Sequence, residues 1–142
     1  MATVRELLKQ KGGSVHAIGP DEPVLAAIKK MADHSVGALL VMLGDDLLGT
    51  LSERDYARKV ILIGRSSAET AVREIMCSPA PSVSPDDTVN TCMLLMTERR
   101  IRHLPVVAQG RVIGVVSMGD LVKRVIEEQQ QEIEQLQRYI AS

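Results

Sequence analysis

The stretch Gly49-Thr50-Leu51-Ser52-Glu53-Arg54-Asp55-Tyr56 returns in outline as Gly114-Val115-Val116-Ser117-Met118-Gly119-Asp120-Leu121. Both read Gly-x-x-Ser-x-x-Asp-apolar, and both follow apolar residues that suit a short strand. A serine followed three residues later by an acid is also how a helix begins. Each stretch is therefore expected to be a corner where a strand ends and a helix starts. Two such corners 65 residues apart imply a duplicated unit.

Working outward, a shift of 65 keeps the halves in register. Pro20-Asp21 falls on Pro85-Asp86, Met31 on Met96, Val41 on Val106, and Val60-Ile61 on Val125-Ile126. Further upstream, Val4-Arg5-Glu6-Leu7-Leu8 resembles Val72-Arg73-Glu74-Ile75-Met76 at a shift of 68, the extra residues falling at Gly12-Gly13. Each unit thus carries a short leading helix. The small polar run Gly64-Arg65-Ser66-Ser67 reads as the linker. The expected division is residues 1–64, residues 65–127 and a helical extension over 128–142.

Within the first unit, Val15 to Ile18 reads as an edge strand, and Asp21 as the cap of a helix with Pro23 in its first turn. Val24, Ala27, Ile28 and Met31 give that helix its apolar face. Gly37 to Leu43 is a buried strand, Gly44-Asp45-Asp46 a hairpin turn, and Leu47 to Leu51 the return strand. The second unit repeats this with a strand at Ser82-Val83, a helix from Asp86 to Arg100, and strands at Leu104–Ala108 and Val112–Val116. The fold class is α+β: β-α-β-β-α twice, the halves packed about a pseudo-two-fold axis. Neither half of about 60 residues buries much core alone.

Composition narrows the function. The 142 residues are 45% hydrophobic and 25% charged, with net charge −1, two Tyr and no Phe or Trp. Neutrality and the lack of aromatic platforms disfavour a nucleic-acid binder. No apolar run is long enough for a membrane span, and the charged start MATVRELLKQ lacks a signal peptide's apolar stretch, so a soluble cytoplasmic protein is expected. His16, His34 and His103 lack metal-ligand spacing. Cys92 shares a helix face with Leu95 and Met96 and reads as core, whereas Cys77 reads as an exposed thiol. No nucleophile–base pair or paired carboxylates suggest an enzyme.

The twin corners admit two uses. In one, Ser52 with Asp55 and Ser117 with Asp120 are capping boxes and nothing more. In the other, the helix N-terminus meets a phosphate, the serine hydroxyl donates to it, and the carboxylate one turn on accepts from a ribose diol. The glycine ahead of the corner then lets a ligand come close to the backbone. Arg54 beside Ser52 and Asp55 offers the first corner a phosphate partner, where the second has Gly119.

Past the repeat, Val122, Ile126, Gln129, Ile133, Leu136 and Ile140 follow 4-3-4-3-4 spacing, the seam of a coiled coil. A homodimer through this helix is expected, with fold-back onto the same chain as the alternative.

The repeat, the strand Arg102-His103-Leu104-Pro105-Val106-Val107 and the doubled corner together resemble a tandem pair of cystathionine-β-synthase-type (CBS) domains, or Bateman module, over residues 3 to about 127. The resemblance implies a regulatory module that binds AMP, ADP, ATP, NAD(H) or S-adenosylmethionine in clefts between the repeats and signals to a partner in trans. It gives Asp55 and Asp120 the ribose hydroxyls, with Ser52 and Ser117 in support. Adenine walls fall at Ala17-Ile18 with Val36-Gly37-Ala38, and at Val83-Ser84 with Ile101-Arg102-His103. Thr50, Val115 and Pro105 flank them, and Arg54, Arg58, Arg102 and His103 are the candidate phosphate ligands. The first half carries Gly37-Ala38-Leu39-Leu40 in place of the Leu-Pro pattern, so the two clefts are expected to differ. Phosphorylated ligands suit Arg54 better than S-adenosylmethionine. A ligand-independent dimerisation adaptor is the other functional class.

Overall fold

A computed structural model describes residues 2–141. The elements run α1 (Val4–Lys11), β1 (Ala17–Ile18), α2 (Val24–His34), β2 (Ala38–Leu43), β3 (Asp46–Ser52), α3 (Glu53–Tyr56), a π-helical turn (Ala57–Ile61), α4 (Val72–Ile75), α5 (Val89–Arg99), β4 (His103–Ala108), β5 (Arg111–Ser117) and α6 (Met118–Ala141). The architecture is mixed α+β. β1 lies parallel to β2, which pairs antiparallel with β3, and β4 pairs antiparallel with β5. Both hairpins bulge at the same repeat position, Val41/Met42 and Val106/Val107.

The second unit lacks the expected strand at Ser82-Val83; Val83 makes a single parallel bridge to Val106. The cause is one residue. In the first unit the Leu40 N–H donates to the His16 carbonyl at 3.0 Å. Its counterpart is Pro105, which has no N–H, so the ladder stops after the bonds Val83 N–H to Pro105 and Val107 N–H to Val83.

The helix caps also differ from expectation. α2 begins after Pro23 and α5 after Thr88, whose hydroxyl accepts from the Thr91 N–H. Asp21 caps nothing there. Its carboxylate pairs with Arg73 at 2.7 Å, and its counterpart Asp86 pairs with Arg5 at 2.8 Å. These twin ion pairs are largely exposed and screened by solvent, but they mark an exchange.

Each leading helix packs in the opposite half's core. Val4 and Leu7 of α1 are buried with Val89, Cys92, Met96, Leu104, Val116 and Leu121. Val72 and Ile75 of α4 are buried with Val24, Met31, Leu39, Leu51 and Val60. Backbone bonds fix both docks: Val4 N–H to Asp87 and Val89 N–H to Ala2 in one, Val72 N–H to Glu22 and Val24 N–H to Thr70 in the other. Full burial of Val4 and Leu7 contributes roughly 3–6 kcal/mol before the chain is charged for ordering. The exchange ties the two repeats into one cooperative unit.

Candidate functional site

At both corners the capping box is complete. At the first, the Ser52 N–H donates to Asp55 Oδ2 at 3.0 Å, the Ser52 hydroxyl donates to the same oxygen at 3.0 Å, and the Asp55 N–H donates to Ser52 Oγ at 3.2 Å. At the second, the Ser117 N–H donates to Asp120 Oδ2 at 2.8 Å and the Asp120 N–H to Ser117 Oγ at 3.1 Å. The first helical amide is taken as well, Glu53 N–H by the Gly37 carbonyl and Met118 N–H by that of Arg102. Two of the amides expected to meet a phosphate are thus already satisfied at each corner.

The glycines ahead of the corners do something other than admit a ligand. A Cβ on Gly49 would lie 2.4 Å from the Cys77 carbonyl oxygen, and one on Gly114 would lie 2.8 Å from Leu8 Cδ2. Both glycines make room for the segment carrying an exchanged leading helix. Thr50 is engaged there too, its N–H donating to the Cys77 carbonyl at 3.0 Å and its own carbonyl accepting from Cys77 at 2.8 Å.

The second corner opens on a cleft of about 390 Å3 lined by Arg102, His103, Ser117, Met118 and Gly119. A volume near this suits a nucleoside-sized ligand. A side chain on Gly37 would begin 3.6 Å from His103 Cε1 and 3.7 Å from Glu53 Oε1, so the first half comes up against His103. Burial, reinforced by the Lys11 and Arg102 charges, lowers the His103 pKa against the raising effect of Asp120 and Glu53. Burial works to raise the Asp120 carboxyl, but the Lys11 ammonium and the Ser117 donors outweigh it and hold that pKa below its ordinary value.

The remaining sequence-predicted residues fall as follows. Ala17 and Ile18 form β1, and the Ala17 carbonyl accepts from Lys30 at 2.5 Å. Val36, Gly37 and Ala38 are half-buried where β2 starts. Arg54 donates to the Arg100 carbonyl at 2.9 Å, reaching the C-cap of α5 in the other repeat. Arg58 is exposed on the π-helical turn, which interrupts the helix expected from Ser52. Val83 is core, and Ser84 turns the chain, its N–H donating to Asp87 and its hydroxyl accepting from Asp86. Ile101 is half-buried, Pro105 is buried in β4, and the Val115 carbonyl accepts from Lys11 at 2.7 Å. Cys92 is fully buried and its thiol is pushed up to about 11, whereas Cys77 is half-buried.

Lysines are what the sequence reading missed. Lys11 Nζ lies 2.6 Å from Asp120 Oδ2, and Lys59 Nζ lies 3.4 Å from Asp55 Oδ1 while donating to the Ile75 carbonyl at 2.9 Å. The i,i+4 spacing of Asp55 and Lys59 was a signal. Lys11 gave none, because it is brought in by the exchanged helix.

Two repeats with exchanged leading helices, each carrying a serine–aspartate corner where a strand meets a helix, define a tandem module of a class that is generally regulatory and ligand-binding. The chain belongs to the CBS-domain family, whose family model matches residues 3–62 and 72–127. It is 40% identical to the mitochondrial CBS domain-containing protein CBSX3 of Arabidopsis thaliana, over 97% of this chain and 71% of that one. It is 31% identical to the CBS domain-containing protein YhcV of Bacillus subtilis, over 85% and 84%. Among solved structures, a CBS-domain protein of Burkholderia ambifaria MC40-6 superposes with a TM-score of 0.86 at 48% identity, covering 90% of this chain and 96% of that one. Among the described residues no helix is long and apolar enough to cross a membrane.

Proposed function

We propose that the chain senses a phosphorylated adenosine ligand, AMP, ADP, ATP or NAD(H), at the second corner and signals to a partner in trans. The cleft lined by Arg102, His103 and Ser117 carries this reading. Arg102 and His103 are suited there to a phosphate, and beside them Ser117 is the capping partner of Asp120, whose carboxylate would take the ribose diol. S-adenosylmethionine, without a phosphate, would leave Arg102 and His103 unused. A ligand shifts the protein only by binding two states unequally. The interface between repeats, where Gly37 meets His103 and Arg54 meets the Arg100 carbonyl, is where the two states would differ.

The output surface is the helical extension. Residues 129–141 are all exposed, so α6 does not fold back, and Ile126, Ile133, Leu136 and Ile140 stand open to solvent. Those thirteen residues extend about 20 Å. A second copy aligned along that seam is the homodimer this reading requires, with Gln129 setting register.

The completed capping boxes favour one competing reading, a ligand-independent dimerisation adaptor. Calorimetry with AMP, ATP and NADH on wild type, Asp55→Ala and Asp120→Ala separates the two. Binding that is lost in Asp120→Ala, in protein still folded by circular dichroism, supports the sensor. No binding of any of the three by wild type supports the adaptor.

A further inference from the structure

Lys11 ends α1, ahead of the first strand, yet it reaches the second corner. Its Nζ donates to the Val115 carbonyl at 2.7 Å and to Asp120 Oδ2 at 2.6 Å, with 33% of its side chain exposed. That oxygen is the one already holding the Ser117 N–H. The ammonium also bears on His103, which lines the same cleft. Behind Lys11 the chain turns at Gly12, with φ 94° and its N–H on the Leu8 carbonyl. It then lies flush against β5, where a Cβ on Gly13 would come within 2.9 Å of the Ile113 carbonyl. A ligand that needs the Asp120 carboxylate therefore meets an occupant, and the occupant is attached to a helix.

Resting on the nucleotide reading above, we propose that Lys11 is a built-in competitor for the second corner: a ribose diol that engages Asp120 displaces its ammonium and loosens the last turn of α1. The corner is thereby a switch with a mechanical output. α1 is held at its start by the backbone bonds of Val4 and Arg5 to Asp87 and Pro85, and at its end by Lys11. Releasing the end leaves the start docked, so the change is confined to Leu8–Gly13. The first corner cannot work this way. Its lysine, Lys59, sits on the same helical segment as Asp55 and merely leans on the Ile75 carbonyl of α4. Occupancy of the second cleft alone is thus reported to the N-terminal helix.

Lys11→Met keeps the aliphatic stem and removes the charge. Calorimetry with AMP is run on wild type and Lys11→Met, together with amide hydrogen exchange of Leu8–Gly13 with and without AMP. The proposal expects Lys11→Met to bind AMP more tightly, by roughly fivefold, the size of a partly exposed ion pair. It also expects AMP to speed exchange at Leu8–Gly13 in wild type and to have no such effect in Lys11→Met, where the turn is already released. Equal affinities, or AMP slowing exchange in wild type, overturn the competitor role while leaving nucleotide binding intact. Weaker binding by Lys11→Met makes Lys11 a ligand-holding cation and also overturns it. Binding by neither protein removes the nucleotide reading itself, and the proposal with it.

Discussion

Alanine at Gly49 tests the exchange of leading helices more directly than any deletion. The added Cβ would sit 2.4 Å from the Cys77 carbonyl oxygen and 3.3 Å from Met76 Sδ. To reach ordinary contact the Cys77 carbonyl must retreat by about 1 Å. That carbonyl accepts from the Thr50 N–H at 3.0 Å, and the Cys77 N–H donates back to Thr50 at 2.8 Å, so both bonds are stretched beyond hydrogen-bond length. Losing two backbone bonds costs about 2 kcal/mol, and overpacking adds about 1–2 kcal/mol. Restricting the unfolded chain returns about 0.5–1 kcal/mol. The net loss is about 2–3.5 kcal/mol, which lowers Tm by roughly 7–12 °C in a chain of this size. Gly114→Ala is the control, because its Cβ meets the movable end of Leu8 rather than backbone. It should cost under about 1 kcal/mol. Thermal melts followed by circular dichroism compare the two. Equal shifts, or a Gly49→Ala shift below about 2 °C, would refute the account of Gly49 as the seat of the crossing segment.

Acidity and the helical extension give two further tests. His103 and His16 are both held below their ordinary value of 6.5, mainly by burial. The unfolded chain then binds more protons as pH falls through that value, so stability should drop between pH 7.5 and 5.5. The double variant His16→Gln/His103→Gln should flatten that slope in urea titrations, and an unchanged slope would exclude these imidazoles as its source. Asp120 is depressed instead, so its stabilisation is present above its ordinary 3.8 and fades as pH falls through its lower folded value. Ending the chain after Glu128 removes most of the exposed seam of α6. Sedimentation at micromolar concentration should then show a monomer that still binds nucleotide, and a persistent dimer would place the interface elsewhere.

Much of this was legible because the relevant signals are local. The hairpins follow from apolar runs broken at Gly44 and Gly110, both of which adopt positive φ. The shortened first strand of the second unit was implicit in Pro105, since a residue without an N–H ends a ladder wherever it stands. The caps were misplaced for the complementary reason. Asp21 and Asp86 have the chemistry of caps, but Arg73 and Arg5 claim their carboxylates from far along the chain.

The sequence by itself determined two units, their element order, the serine–aspartate corners and an unburied helical seam at the end. Each of these rests on spacing within a few turns or on a repeat of that spacing. Only the tertiary structure decided which core receives each leading helix. Val4 and Leu7 ask for burial in the same terms as Val72 and Ile75, and apolar surface is non-directional, so periodicity states the need and not the address. The shift of 68 rather than 65 was its one trace. Because α1 crosses over, Lys11 arrives at Asp120 and the second corner differs from the first in its origin as well as its charge.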